Sequence, residues 1–520
     1  MKYRFGLLII IIVGALLRGV GLDATSYHTD EKTVVRTARY LLDKKTLEPK
    51  RMSYGTLTPY LQAGVLALGD RIHHMRGGRG AKQPFKDDLE QARALSAFAG
   101  VITILLTAAL AREMLKKRHA CFRSDHGIAL SAAMISAFSF LAVQCNHYST
   151  VDSVMAMLTT AALLVSLKAL HEGRVRYHAG AGLLAGLAAA AKYTGGLVIL
   201  PPLLAALIGR KHRAPRRNPA IVLAGGLLGF ALGMPPAFLT TNRFLSALRF
   251  ESHHYAQGGE TILAMGDHTG WWNLRYLFHT GLGPALLLMA LFGLAWMLSR
   301  SSSHALAFPA PSSLAVFLIY PAACWIFLAR YPVRFDRNLL PLIPILAVMA
   351  ALWWNNAWQA MKMRRRTALS ILAGIALPLA LLWPLSKDIV FDWQLRQTHT
   401  RDQLKAWIRT HARHKKIRKH TTYHRAPLGW YQRHGYDYII MSSHSWEPIL
   451  GHPERYPILA RFYKNMFKRC EIVALFENPW FASDFFAPHA LLNSATVNIY
   501  HGPTMAVLKV PPLDAPNSGE

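Results

Sequence analysis

The residues best suited to chemistry in this chain are carboxylates and cations standing at the edges of apolar blocks. Soon after the first such block comes Tyr27-His28-Thr29-Asp30-Glu31-Lys32. An enzyme that activates a hydroxyl nucleophile at a membrane surface needs a carboxylate base there, which Asp30 or Glu31 can supply. The same pair would also suit the start of a helix, whose positive end favours acids. A further carboxylate, Asp152, ends the run Cys145-Asn146-His147-Tyr148-Ser149-Thr150-Val151-Asp152 at a block boundary. Such a position is costly unless the acid is paired, solvated or functional, or caps the helix that follows. Cations appear where the charge bias of the loops does not call for them: Lys192 between two short apolar blocks, and Arg330, Arg334 and Arg337 in one short loop. Arginine meets phosphate with a bidentate fork and lysine with a point charge. Snorkelling, or a salt bridge to Asp336, is the plainer alternative. Together the acids and cations describe a site for a lipid-linked phosphate at the membrane surface, with carboxylates acting on the group being transferred.

The elements that must position these residues are membrane helices. Of the 520 residues 52% are hydrophobic and 17% charged, against about a quarter charged in a soluble domain. Blocks near the roughly 20 apolar residues of a span recur up to Trp383. They predict about eleven transmembrane helices, at 5–20, 94–112, 127–145, 152–170, 178–191, 195–209, 219–238, 277–298, 310–328, 339–358 and 367–384. The first follows Lys2 and Arg4 but no cleavage site follows it, so it reads as a retained span. The expected organisation is a transmembrane domain over 1–384 and a small α/β soluble domain over 385–520. Lys and Arg cluster at the N-terminus and in the loops 112–123, 210–217 and 359–366. The positive-inside rule makes these cytoplasmic and the C-terminal domain extracytoplasmic. Leu57 to Leu68 is apolar but too short to span and reads as an interfacial helix within a first outer loop of about 21–93. So long a loop is more than a connector.

The net charge of +31 suits basic loops lying on anionic headgroups. The basic residues are scattered and carry no nucleic-acid signature, which argues against that partner. Of the cysteines, Cys121, Cys145, Cys324 and Cys470, none falls in a metal or redox spacing. The outer loop 239–276 holds His253, His254, Glu260, Asp267, His268, Trp271 and Trp272. The tryptophans suit an interfacial anchor, and the histidines have no ligand spacing. No cofactor is called for, although a divalent metal is left open. A transporter or flippase of a lipid-linked or anionic solute is the rival function. It would place ionisable residues near the midplane and often shows inverted repeats; none is visible here. A membrane scaffold is a third reading, but it gives the outer acids and cations no shared purpose.

The chain resembles the C-type-fold membrane glycosyltransferases that use polyprenyl-phosphate sugars, in the branch related to protein O-mannosyltransferases and the aminoarabinose transferase of lipid A. The resemblance rests on His28-Thr29-Asp30-Glu31, Tyr54-Gly55-Thr56-Leu57-Thr58-Pro59-Tyr60, His147 to Asp152, Gly186 to Thr194, and Arg337-Asn338-Leu339-Leu340-Pro341-Leu342-Ile343-Pro344, in that order. Gly435 to Ser443, Phe462-Tyr463 and Gly502-Pro503 extend it into the C-terminal domain. It implies an inverting transferase in the cytoplasmic membrane that works on the outer face. In it Asp30 is the general base, with Glu31 beside it, and Asp152 shapes the site. Lys192, Arg337 and Arg334 hold the donor phosphate, and His28, Tyr54, His147 and Tyr148 serve the sugar or acceptor. The implied partners are a polyprenyl-phosphate sugar donor, membrane lipids, and a glycan, lipid or protein acceptor. The aminoarabinose enzyme carries a Glu-Lys pair late in its first loop where this chain has Tyr54-Gly55-Thr56-Leu57, a departure that argues against that sugar.

Overall fold

The computed structural model describes residues 2–24, 28–75, 84–116, 125–209, 218–257, 269–299, 308–331, 334–420, 426–451, 453–454, 456–477 and 504–512. Tyr27, Cys121, Glu260, Asp267, His268, the dipeptide Gly502-Pro503 and most of the loops 112–123 and 210–217 lie outside them. The chain divides into two compact units, the first ending at Asp392 and the second built mainly from Trp393 onward.

The first unit is helical. Helix α1 (Lys2–Gly19) is followed by α2 (Thr29–Lys44), α3 (Leu57–Met75) and α4 (Pro84–Leu115). Then come α5 (Asp125–Ala137), α6 (Phe140–Asn146), α7 (Asp152–Glu172) and α8 (Val175–Ala191). A 3₁₀ turn, Tyr193–Ile199, leads into α9 (Leu200–Ile208), α10 (Asn218–Gly233), the short α11 (Pro236–Leu239) and α12 (Thr241–Gln257). After α13 (Trp271–Tyr276) come α14 (Pro284–Leu298) and α15 (Pro311–Arg330). A second 3₁₀ segment, Asp336–Leu342, opens α16 (Ile343–Met363), and α17 (Thr367–Leu395) ends the unit.

Every segment expected to span is helical, but not all are uninterrupted spans. Among the described residues five helical stretches are long and apolar enough to cross a bilayer, or six counting α5 with α6, which meet at a 57° bend. The stretches at 178–191, 195–209, 219–238 and 277–298 are shorter or broken. Pro235 and Pro236 follow α10, and Gly283, at a φ of 94° that favours glycine, precedes Pro284 at the start of α14. Helix α1 carries Lys2, Arg4 and Arg18 within its length. The segment expected as a short interfacial helix is the 19-residue α3.

Small residues set the closest packing. A Cβ on Gly186 would stand 2.0 Å from the Gly226 carbonyl oxygen, and one on Gly229 would stand 2.2 Å from that of Leu183. Helices α8 and α10 thus meet backbone to backbone through Gly182, Gly186, Gly225 and Gly229, the small-xxx-small arrangement by which membrane helices gain dispersion contact. Gly55 does the same for the first loop: a Cβ there would fall 1.8 Å from the Ala190 carbonyl oxygen. The loop bearing Tyr54 therefore lies directly on the end of α8, just before Lys192.

The second unit is a four-stranded sheet with helices, in the order β1 (Ile417–Lys419), β2 (Tyr438–Ser442), β4 (Met505–Lys509), β3 (Glu471–Phe476). β1 and β2 are parallel; β4 is antiparallel to both β2 and β3. Ile439, Met441 and Leu508 pack against Tyr431, Trp446, Tyr463 and Met466. The expected small α/β region is present, with the Gly435 to Ser443 motif supplying its inner strand and Tyr463 its core. Cys470 is buried there as a free thiol.

Candidate active site

Asp30 sits in the first turn of α2. The imidazole Nδ1 of His28 accepts the Asp30 N–H at 3.0 Å, and the Glu31 carboxylate accepts the His28 N–H at 2.7 Å, forming a reciprocal cap. Adjacent residues on a helix point about 100° apart, and the two acids part company accordingly. Glu31 is buried. Its oxygens accept from Arg93 Nε (2.8 Å) and Nη2 (3.0 Å) and from the Ser149 N–H (2.8 Å). It was expected beside Asp30 as a reacting carboxylate. Instead it bolts α2 to α4 and to the turn that leads into Asp152. The two chemical acids thus share one brace.

Asp30 looks the other way, and its Oδ2 lies 2.7 Å from Arg337 Nη2. Arg337 Nε is 3.7 Å from Asp152 Oδ2. Asp152 Oδ1 accepts from Lys192 Nζ at 2.7 Å, and that ammonium also donates to Asn338 Oδ1 at 2.7 Å. The chain of contacts ends at Tyr255, whose hydroxyl is 3.4 Å from Asn338 Nδ2. Asp152 is the first residue of α7 but does not cap it; the N-cap position is Val151. Its carboxylate serves the cations instead.

Burial grades this cluster. Asp152, Lys192 and Arg337 are 1%, 5% and 8% exposed, whereas the Asp30 side chain is 23% exposed. Buried charges persist only when paired, and these compensate one another. Burial by itself would raise the Asp30 pKa. The Arg337 charge, then His28 and a hydrogen bond from Tyr54, outweigh it and hold the carboxyl below its ordinary range. Burial, then the Asp30 charge, pushes the Tyr54 phenol well above its usual value, so it stays a donor. Of the carboxylates in the cluster Asp30 is thus the more exposed, and it is ionised.

A largely apolar cavity of about 410 Å³ adjoins the cluster, lined by Tyr54, Lys192, Leu197, Leu200, Tyr255 and Phe327 among others. Its lining includes a residue not singled out from the sequence, Glu251 of α12. Leu248, Glu251, Ser252 and Tyr255 all line it, and their i, i+3, i+4, i+7 spacing marks one helix face. That spacing was visible in the sequence, but nothing there indicated what the face covered.

Arg334, His147 and Tyr148 are held by other contacts. Arg334 is buried with its guanidinium on the carbonyl oxygens of Leu328 (2.6 Å) and Tyr331, where a cation suits the end of α15. Its expected place beside Arg337 on a phosphate is corrected accordingly. The His147 ring lies between the carbonyls of Val143 (2.8 Å) and Val20 (2.9 Å), tying α6 to the end of α1. Tyr148 packs on the His28 ring with centroids 5.8 Å apart. Both support the turn between α6 and α7. Tyr54 does reach the cluster, and His28 orients Asp30. Among the described residues no group of three His, Cys, Asp or Glu side chains converges as a metal site.

Residues 83–238, which include Asp152 and Lys192, match the family model described as dolichyl-phosphate-mannose-protein mannosyltransferase. No curated protein matches the chain in sequence. Among solved structures, the apo form of ArnT from Cupriavidus metallidurans is similar over 98% of each chain, with a TM-score of 0.53 at 13% identity. The apo oligosaccharyltransferase of Archaeoglobus fulgidus gives a TM-score of 0.54 at 14% identity over 79% of this chain. This chain spans only 58% of that enzyme's length. The chain thus shares the fold of these two enzymes. With several helices long and apolar enough to cross a bilayer, it is a multi-pass membrane protein. The family match covers neither Asp30 nor Arg337, so the ion pair between them is known from geometry alone.

Proposed function

We propose that the protein is an inverting glycosyltransferase that moves a sugar from a polyprenyl phosphate to a hydroxyl acceptor at the outer face of the cytoplasmic membrane. The observation that carries this is the grading of the cluster: a partly exposed, ionised Asp30 ion-paired to a buried Arg337, next to a buried Lys192 that opens on an apolar cavity. The family match to a dolichyl-phosphate-mannose enzyme favours a prenyl-phosphate donor. The prenyl chain takes the apolar cavity, and its phosphate meets Lys192 and Arg337. Asp30 accepts the proton of the acceptor hydroxyl. The oxygen attacks the anomeric carbon, and the bond from that carbon to the phosphate oxygen breaks. The electron pair leaves with the polyprenyl phosphate. Charge rises on the leaving phosphate as the sugar takes on cation character, and the fixed cations stabilise it. Asp152 stabilises Lys192 and Arg337 in the empty site and sets their positions.

Glu31 is a positioning residue in this scheme, and His147, Tyr148 and Arg334 hold the scaffold. The N-terminus is assigned to the cytoplasm and the C-terminal region to the outside, from the positive-inside rule. The C-terminal region serves acceptor choice; a truncation near residue 392 that kept the same acceptor preference would remove that role. The deciding experiment is native mass spectrometry of the purified protein with polyprenyl phosphates and polyprenyl-phosphate sugars. Retention in the wild type that is lost in Arg337→Ala is expected. No retention by folded wild-type protein would overturn the donor assignment.

A further inference from the structure

Glu251 has no assigned part in the scheme above, and its surroundings suggest one. It lies on the cavity-facing stripe of α12, one turn from Tyr255, which reaches Lys192 through Asn338. Among the described residues it makes no hydrogen bond and no ion pair. The wall beside it is mostly apolar: Leu197, Leu200, Leu248 and Phe327. A carboxyl placed among such groups without a partner is costly, and a ligand that hydrogen-bonds to it recovers that cost. Consistent with this burial, its pKa is raised to about 7, with Lys192 opposing the rise.

The nature of that ligand follows from charge. A phosphate would be repelled by a carboxylate and is already served by Lys192 and Arg337. A prenyl chain offers no hydrogen bond. The part of the donor that remains is the sugar, whose hydroxyl or amino groups are donors. We infer that Glu251 is the residue that recognises the transferred sugar, by accepting a hydrogen bond from an O–H or N–H of its ring substituents. This rests on the donor reading of the cavity. In this arrangement Lys192 and Arg337 hold what all polyprenyl phosphates share, and Glu251 reads what distinguishes one polyprenyl-phosphate sugar from another.

The test compares two ligands on the full-length protein: a polyprenyl phosphate without sugar, and the polyprenyl-phosphate sugar that the wild type retains best. Glu251→Ala should weaken the sugar donor by about ten- to a hundredfold, the worth of a hydrogen bond to a charged group. It should leave the bare polyprenyl phosphate unchanged. Glu251→Gln keeps an acceptor oxygen and should lose less. A merely structural role would lower both ligands together, and that outcome overturns the inference. Equal retention of both ligands by wild type and Glu251→Ala also overturns it. A wild type that retains neither ligand overturns the donor reading itself, and the inference with it. Thermal unfolding in the same detergent identifies a variant that has failed to fold; Glu251→Gln, equal in shape, then decides between the same outcomes.

Discussion

Replacing Asp30 by Asn separates the base from everything else the residue does. The amide keeps the shape and one acceptor oxygen, so the His28 cap, which uses the Asp30 backbone N–H, is untouched. What is lost is the negative charge 2.7 Å from Arg337. Because the Asp30 side chain is 23% exposed, the ion pair is partly screened and its loss should cost no more than about 1 kcal/mol of stability. Arg337 keeps Asp152 as a partner, at 3.7 Å. Relieved of a competitor, it should bind the donor phosphate as well as before, or up to about fivefold more tightly for the same 1 kcal/mol. Turnover should fall by about 100- to 10,000-fold, the range for a lost general base. The pairing with Arg337 makes Asp30 a weak base in the empty site, which favours the lower half of that range. The assay follows transfer from the retained polyprenyl-phosphate sugar to an acceptor extract, with donor binding measured in parallel. Turnover equal to wild type at equal donor occupancy would refute the base assignment. Lost donor binding with normal turnover at saturation would instead make Asp30 a residue that positions Arg337 for the phosphate.

Glu31→Ala removes the carboxylate that neutralises the buried Arg93 guanidinium and should cost about 3–5 kcal/mol. It should be read as a fall in Tm, and an unchanged Tm would remove its bracing role. Gly55→Ala forces a Cβ into the Ala190 carbonyl and must shift the Tyr54 loop. Activity should fall more than tenfold with a small loss of Tm, because overpacking costs about 1–3 kcal/mol; full activity would show that Tyr54 need not be held there. Glu251 has a folded-state pKa above its unfolded value of about 4.3. As a raised acid it makes stability fall as pH rises from there to about 7. Glu251→Gln mimics the protonated form, so its Tm advantage over wild type should be larger at pH 8 than at pH 5; an equal difference at both would contradict the shift.

Much of the site could be read from residue types. Acids and cations out of place among apolar blocks cost free energy, so Asp30, Asp152, Lys192 and Arg337 stood out before any fold was known. The helices could be read for the same reason: apolar runs and the positions of Pro and Gly report directly on local backbone preference. Their number as spans could not, because α5 with α6 bends, and α10 and α14 are cut short, where packing and Pro or Gly act together.

What the tertiary structure decided is which neighbours each charge meets. Asp30 and Glu31 are adjacent in sequence and alike in chemistry, yet one faces Arg337 and the other Arg93. That difference depends on how α2 lies against α4, a long-range matter no local pattern carries. Arg334 and Arg337 are separated in the same way: one closes a helix end and the other spans two carboxylates. Glu251 and Asn338 gained meaning only when α12 was laid over a cavity whose other walls come from distant segments. Composition and spacing determine that charge is present at the membrane edge and which local elements carry it. Only the packing of those elements determines which charge is braced, which is buried, and which is left open to a substrate.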